Sequence, residues 1–462
     1  MPVGNSCDNR FLSAPVGRLF VVNALPTMLV MTMSGLLNVV DAMFLGHFVG
    51  ADALTAVSLV FPAVMVVIAL STLVSGGMSS LLARHLGAGQ GEAATAVFAR
   101  AHGLSLFISL LLIASHVLFG PLLIRQIAGS ADDAGRMAQT YLMIMVISSP
   151  VQFLLGVHAD TWRNEGRMAL VALLSALVTL ANVGLNYVLI VMLDLGVAGS
   201  AWGTALAQGV GLGILVWLRA YLPSAVPLSG LLRHRWSGNW SAMVALGAPL
   251  SLGYVGIAVV AATLITALRM MATPDYAAVV AAHGIVTRIL GLTYLPLMAM
   301  ALATQSIVGN NCGAGLHQRA DAALRLALGV SLIYCGLVEL MFQAASDHIG
   351  ASFSGEPDVV SHVAAILRPM LAVYLFTGPV LILALYFQAI GKPGRAAVLT
   401  LCKPFVLCPA LILALAATRG STAIRFAFPL ADSLMALIGG TMLALLWKSR
   451  ATWPADAGRG TA

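Results

Sequence analysis

Apolar residues in this chain come in long unbroken runs, not in the alternating or three-to-four spacing of half-buried elements. Most runs reach the roughly 20 residues that carry an α-helix across a bilayer. They do not alternate polar and apolar positions as membrane β-strands do. The pattern therefore predicts an all-α membrane protein, because a helix satisfies its backbone polar groups within one segment. Twelve transmembrane helices are predicted, at about 18–44, 53–82, 94–119, 138–162, 168–192, 199–221, 242–270, 278–308, 322–345, 363–390, 395–417 and 423–447. Pro26 and Gly35 in span 1, Pro296 in span 8, Pro369 and Pro379 in span 10, and Pro404 and Pro409 in span 11 mark expected local breaks.

The pattern also repeats. Ala51–Arg100 can be laid on Ala277–Leu326 without a gap, 226 positions later. Gly87-Ala88-Gly89 falls on Gly313-Ala314-Gly315, Ser80 on Ser306, and Ala56 on Ala282. Each copy is a long apolar run, a GAG turn and an Ala-rich segment, so the chain reads as two similar halves. A weaker match sets Arg163–Ala169 on Gly391–Ala397, pairing Gly166 with Gly394 and Arg167 with Arg395. Six spans precede the basic connection Arg219–Trp240 and six follow it. Six is even, so both halves point the same way, as parallel repeats with the substrate path between them. The expected organisation is an N-terminal lobe at 1–222, a linker at 223–241, a C-terminal lobe at 242–450 and a tail at 451–462.

Composition agrees with the pattern. Of 462 residues 60% are hydrophobic and 9% charged, with mean hydropathy +0.95; a soluble domain carries about 25% charged residues. The net charge of +7 reads as basic loops on one side of the membrane, with no nucleic acid implied. With the N-terminus inside, Arg84, Arg100, Arg163, Arg167, Arg233 and Arg235 and most other basic residues lie on the cytoplasmic side. Only Arg125, Arg136, Arg269, Arg368, Arg419 and Arg425 lie outside, which puts both termini in the cytoplasm. Cys7, Cys312, Cys335, Cys402 and Cys408 show no metal-ligand spacing and read as small apolar residues. No cofactor or metal cluster is expected. There is no GxxxxGKS loop for ATP and no nucleophile cluster, so neither an ATP-driven engine nor an enzyme is indicated.

Charges inside spans are the candidate chemistry, because burying one costs ~3 kcal/mol or more. Asp41, near the outer end of span 1, is a candidate protonatable group facing a polar interior. Asn182 and Asn186 share one face of span 5, four residues apart. Thr204 and Gln208 do the same in span 6. These polar faces serve either cation or proton coordination or helix–helix hydrogen bonding. In the second half, Asp432 pairs with Arg288 or binds a cationic substrate or coupling ion. Glu339 reaches the outer interface or stands alone in a cavity, and Gln305 is a further polar candidate. Asp160 and Lys403 are expected to snorkel toward the cytoplasmic interface. Met31, Tyr254 and Tyr294 are candidate surfaces for an amphipathic or cationic substrate.

The segments DAMFLGHFVGADALTAVSLVFP, SGGMSSLLARHLGAGQ, TRILGLTYLP, ATQSIVGNNCGAG and YFQAIGKPGRAA, in this order, carry a resemblance over the whole length. The chain resembles the multidrug and toxic compound extrusion (MATE) family, with a pattern nearest its DinF/MepA-like branch. The resemblance implies two six-helix lobes around a V-shaped cavity, and export of cationic or amphipathic compounds in exchange for protons or sodium. It further implies a monomer in a bacterial inner membrane. By that resemblance Asp41 matches the family's span-1 acid, Asn182 its span-5 Asn and Thr204 its span-6 Thr, with sodium an option at Asp41. Asn186 stands where a proton-coupled branch often has Asp, and the span-7 Glu of some sodium-coupled members has no counterpart. The alternative is a lipid-linked precursor flippase or metabolite exporter of the same superfamily, which would favour cavity cations such as Arg288 and Arg269.

Overall fold

The computed structural model describes residues 9–128, 133–271, 275–353 and 356–451; Cys7 and the tail residue Arg459 lie outside the described residues. All regular elements among them are helical. A short helix, α1 (Arg10–Ser13), precedes the long apolar helices α2 (Val16–Phe44), α3 (Ala51–Gly87) and α4 (Gly91–Ala128). Next come α5 (Asp133–Ile147), α6 (Ser149–Asn164), α7 (Met168–Asn186), α8 (Gly196–Tyr221) and the linker turn α9 (Gly230–Arg233). The second half contains α10 (Trp240–Met270), α11 (Tyr276–Gly313), α12 (His317–Phe353), α13 (Pro357–Leu371) and α14 (Thr377–Ala389). It ends with α15 (Pro393–Cys402), α16 (Cys408–Arg419) and α17 (Ala427–Ala451). Among the described residues ten helices are long and apolar enough to cross a membrane, and up to twelve spans result when two bent pairs are each taken as one.

The bent pairs are α5–α6, at 46°, and α13–α14, at 51°. The second bend follows Pro369, where a break was expected. The first was not anticipated; Pro150 sits in the first turn of α6 and favours a fresh helix start there. Pro26 and Pro296 lie inside continuous helices. Three wider π-helical turns follow α2, α7 and α15, at Leu45–Val49, Tyr187–Met192 and Lys403–Leu407, the last containing Pro404.

The described residues divide into two compact units. One comprises Met1–Val259 with Leu290–Ala327 and Leu385–Ala397; the other comprises Val260–Ile289, Leu328–Ala384 and Val398–Ala462. In the first unit α3 packs on α4, α5 and α6, while α2 packs on α7 and α7 on α8. Small residues set the α7–α8 distance. Gly199, Gly203 and Gly211 fall four and then eight residues apart, on one helix face, and a Cβ on any of them would meet α7 or its π-helical continuation: Leu189 and Ile190, Asn186, and Val178 respectively. This is the close-approach geometry of a GxxxG pair.

The repeat is also visible inside the first unit, where α3 crosses α11. Ser79 donates to Gln305 Oε1 at 3.5 Å, and Ala83 lies against Gly309. Both pairs join positions that are 226 apart. Gly87 faces the Asn310 backbone, and its repeat mate Gly313 faces the Arg84 backbone, the mate of Asn310. Such reciprocal contacts are what a two-fold axis generates. Gly89 (φ +69°) and Gly315 (φ +75°) end the two helices in left-handed geometry, which explains the GAG turn. At the weaker repeat the turn glycines are Gly166 (φ +79°) and Gly391 (φ +75°). Gly394, the expected partner of Gly166, instead lies within α15.

Candidate functional site

Asp41 ends up among neutral donors. It sits four residues before the π-helical turn that starts at Leu45 and is 8% exposed. The packing of α2 on α7 brings it to the face shared by Asn182 and Asn186, both fully buried. Asn186 Nδ2 donates to Asp41 Oδ1 at 2.5 Å, and the Thr204 hydroxyl donates to Asp41 Oδ2 at 3.2 Å. Asn182 ties the two donors together. Its Nδ2 donates to Thr204 Oγ1 at 3.1 Å, and its Oδ1 accepts from Asn186 Nδ2 at 3.2 Å. Turning the Asn182 amide over exchanges these bonds for one from its nitrogen to Asp41 Oδ1 at 3.2 Å. Its oxygen then accepts from the Thr204 hydroxyl at 3.1 Å and backbone N–H at 3.2 Å.

No basic side chain among the described residues forms an ion pair with Asp41. A carboxylate in this setting keeps its hydrogen bonds but lacks a counter-charge, which is costly in a low-dielectric interior. Asn186 Oδ1 is buried without a donor and lies against Gly203, leaving an acceptor oxygen beside the carboxylate. The group is thus suited to holding a proton or a small cation through side-chain oxygens. Among the described residues no group of three or more His, Cys, Asp or Glu side chains could hold a metal ion.

The four residues expected in the first half come together. The second-half candidates have varied surroundings. Asp432 is ion-paired with Lys403, not with Arg288. Lys403 begins the π-helical turn inside the span formed by Pro393–Arg419, and its ammonium turns to the buried carboxylate. Asp160 pairs with Arg163 at 2.9 Å. Arg288 is exposed, with no ion pair among the described residues. Glu339 does not stand alone: its Oε2 accepts the Leu375 N–H at 3.0 Å. The α13–α14 break leaves that N–H without a helical acceptor, and Glu339 supplies one. Gln305 is fully buried at the α3–α11 crossing. Tyr254 and Tyr294 come near each other, with Thr72 beside Tyr254, and Met31 is half-buried in α2.

Two features of the site went unread in the sequence. Gly203 leaves the space that Asn186 occupies; its signal was the small-residue spacing Gly199, Gly203, Ala207 and Gly211. The π-helical turns after Phe44 and Asn186 had no local signal, since neither contains a proline.

Comparison with known proteins gives a consistent result. The MatE family model matches residues 26–188 and 252–411. An FAD transporter of Shewanella oneidensis is 26% identical over 434 residues, covering 92% of this chain and 94% of that protein. The multidrug export protein MepA of Staphylococcus aureus is 22% identical over 455 residues, covering 94% of this chain and 95% of its own. Among solved structures, a MOP superfamily transporter from Pyrococcus furiosus, described with a binding pocket of reversed polarity, superposes with TM-score 0.88 at 20% identity. That match covers 97% of this chain and 100% of the other.

Proposed function

The chain belongs to the MatE family of transporters, and from that premise we propose that it is a secondary antiporter exporting cationic or amphipathic small molecules in exchange for protons or sodium. The observation that carries this reading is Asp41: a buried carboxylate held by Asn186 and Thr204 without a basic partner. Such a group is stable only while something positive occupies it, so a substrate cation and a coupling ion can exclude each other there. Asn182 and Asn186 orient the carboxylate and supply oxygens for the ion, with sodium an option at Asp41. Met31, Tyr254 and Tyr294 would offer adaptable apolar contact to the substrate. Two lobes, at 1–222 and 242–450, would rock about the linker to expose the site to either side in turn. The chain would act as a monomer in a bacterial inner membrane, with both termini cytoplasmic.

A second reading is favoured by specific observations. Asp432 is neutralised by Lys403, while Arg288 is exposed without an ion pair among the described residues. Together with the FAD transporter as a relative, this supports an anionic dinucleotide as cargo. Flux into proteoliposomes, with pH and sodium gradients imposed separately, decides between them. Gradient-driven movement of ethidium but not of FAD is the expected result. Movement of FAD alone would transfer the assignment to the second reading, and movement of neither under either gradient would contradict antiport.

A further inference from the structure

A second site lies away from Asp41, where the linker meets α10. A cavity of about 540 Å³ is lined by Arg100 of α4 and by Arg233, His234, Arg235, Ser237 and Asn239 of the linker, among others. That volume is in the range of small-molecule sites. Three arginines line it, and its lining contains no carboxylate. None of the three forms an ion pair among the described residues; Glu92 pairs with His234 at 3.0 Å instead. Asn239, in left-handed geometry (φ +52°), ends the linker and opens the 31-residue helix α10, which has no acidic residue in its first turn. The positive end of the helix dipole therefore adds to the arginines.

The aromatic residues beside this cavity suit it to the bilayer surface. Trp240 Nε1 donates to the Arg100 carbonyl at 3.2 Å, and Trp236 Nε1 donates to the Leu231 carbonyl at 2.7 Å. Indoles with the ring in apolar surroundings and the N–H bonded gather at headgroup depth. Phe107 stacks against Trp240 at 5.3 Å between centroids, and Phe107, Leu110 and Leu111 of α4 are 53%, 62% and 57% exposed. A ligand here meets arginines at one end and an apolar helix face at the other.

We propose that this cavity binds the phosphate of an anionic phospholipid, with the acyl chains lying along α4. Guanidinium groups suit phosphate because their planar donors engage two oxygens at once. The adjoining apolar face selects a lipid over a free phosphate, which has no use for it.

Native mass spectrometry tests the assignment on full-length protein taken from nanodiscs of mixed phosphatidylglycerol and phosphatidylcholine. The wild type should retain phosphatidylglycerol preferentially. The R100Q/R233Q/R235Q variant should lose that preference by on the order of a hundredfold, at about fivefold per arginine. R235Q alone, an exposed change in the linker that cannot disturb helix packing, should lose about fivefold. Lys448→Gln, remote in sequence on α17, should keep the wild-type preference. Undiminished preference in R235Q, or an equal loss in Lys448→Gln, would overturn the site. Pyrophosphate displacing the lipid stoichiometrically in detergent would overturn the lipid assignment.

Discussion

Asp41 is held by an amide and a hydroxyl, each contributing hydrogen bonds but no compensating charge. The residue next in importance is one without a side chain. Gly203 gives Asn186 the room from which it reaches the carboxylate, and a methyl group there would collide with Asn186 Oδ1. Gly203→Ala should therefore displace the amide. A hydrogen bond to a charged group contributes about 1.5–3 kcal/mol, so transport should fall tenfold or more. Thr204→Ser, which keeps the hydroxyl, should transport near the wild-type rate. Substrate uptake with helical content as a folding control checks both; unimpaired uptake in Gly203→Ala would mean the Asn186 bond is dispensable. Asp41, Asn182, Asn186 and Thr204 were legible because polar side chains in an apolar field stand out and four-residue spacing sets a shared face. The Asp432–Lys403 pair was not, since no sequence pattern says which of several intramembrane cations a carboxylate meets.

At the scale of elements, the crossing of α3 and α11 gives the repeat a physical purpose. Gly309 lies against Ala83, and Gly87 and Gly313 lie against backbone, so the two helices touch with almost nothing between them. Gly309→Leu would force the crossing apart, at about 1–3 kcal/mol for overpacking. The expected readout is a lower melting temperature of the purified protein, with Gly284→Leu, at a glycine with open space around it, as a near-neutral reference. Equal melting of the two variants would mean the crossing is not tightly packed. The span count and the matching GAG turns could be read from run length and from glycine spacing. The bend at Ser148 and the π-helical turns could not, because a small change in backbone winding leaves hydropathy unaltered.

For the whole molecule, the membrane class followed from composition, since 9% charged residues cannot cover a water-facing surface of a chain this long, and the helical architecture followed from apolar runs that do not alternate. The cavity under the linker was not legible in the same way. Its arginines come from α4 and from a segment more than 130 positions later, and only folding puts them around one space. On the two proposals made above, the sites would divide the labour: the buried carboxylate would exchange cargo for an ion, while the basic cavity would hold the linker against the bilayer. The measurement that tests the first role most directly is uphill substrate accumulation in proteoliposomes under an imposed ion gradient, compared between wild type and Asp41→Asn. The account predicts that Asp41→Asn loses gradient-driven accumulation while remaining folded; accumulation equal to wild type would contradict it.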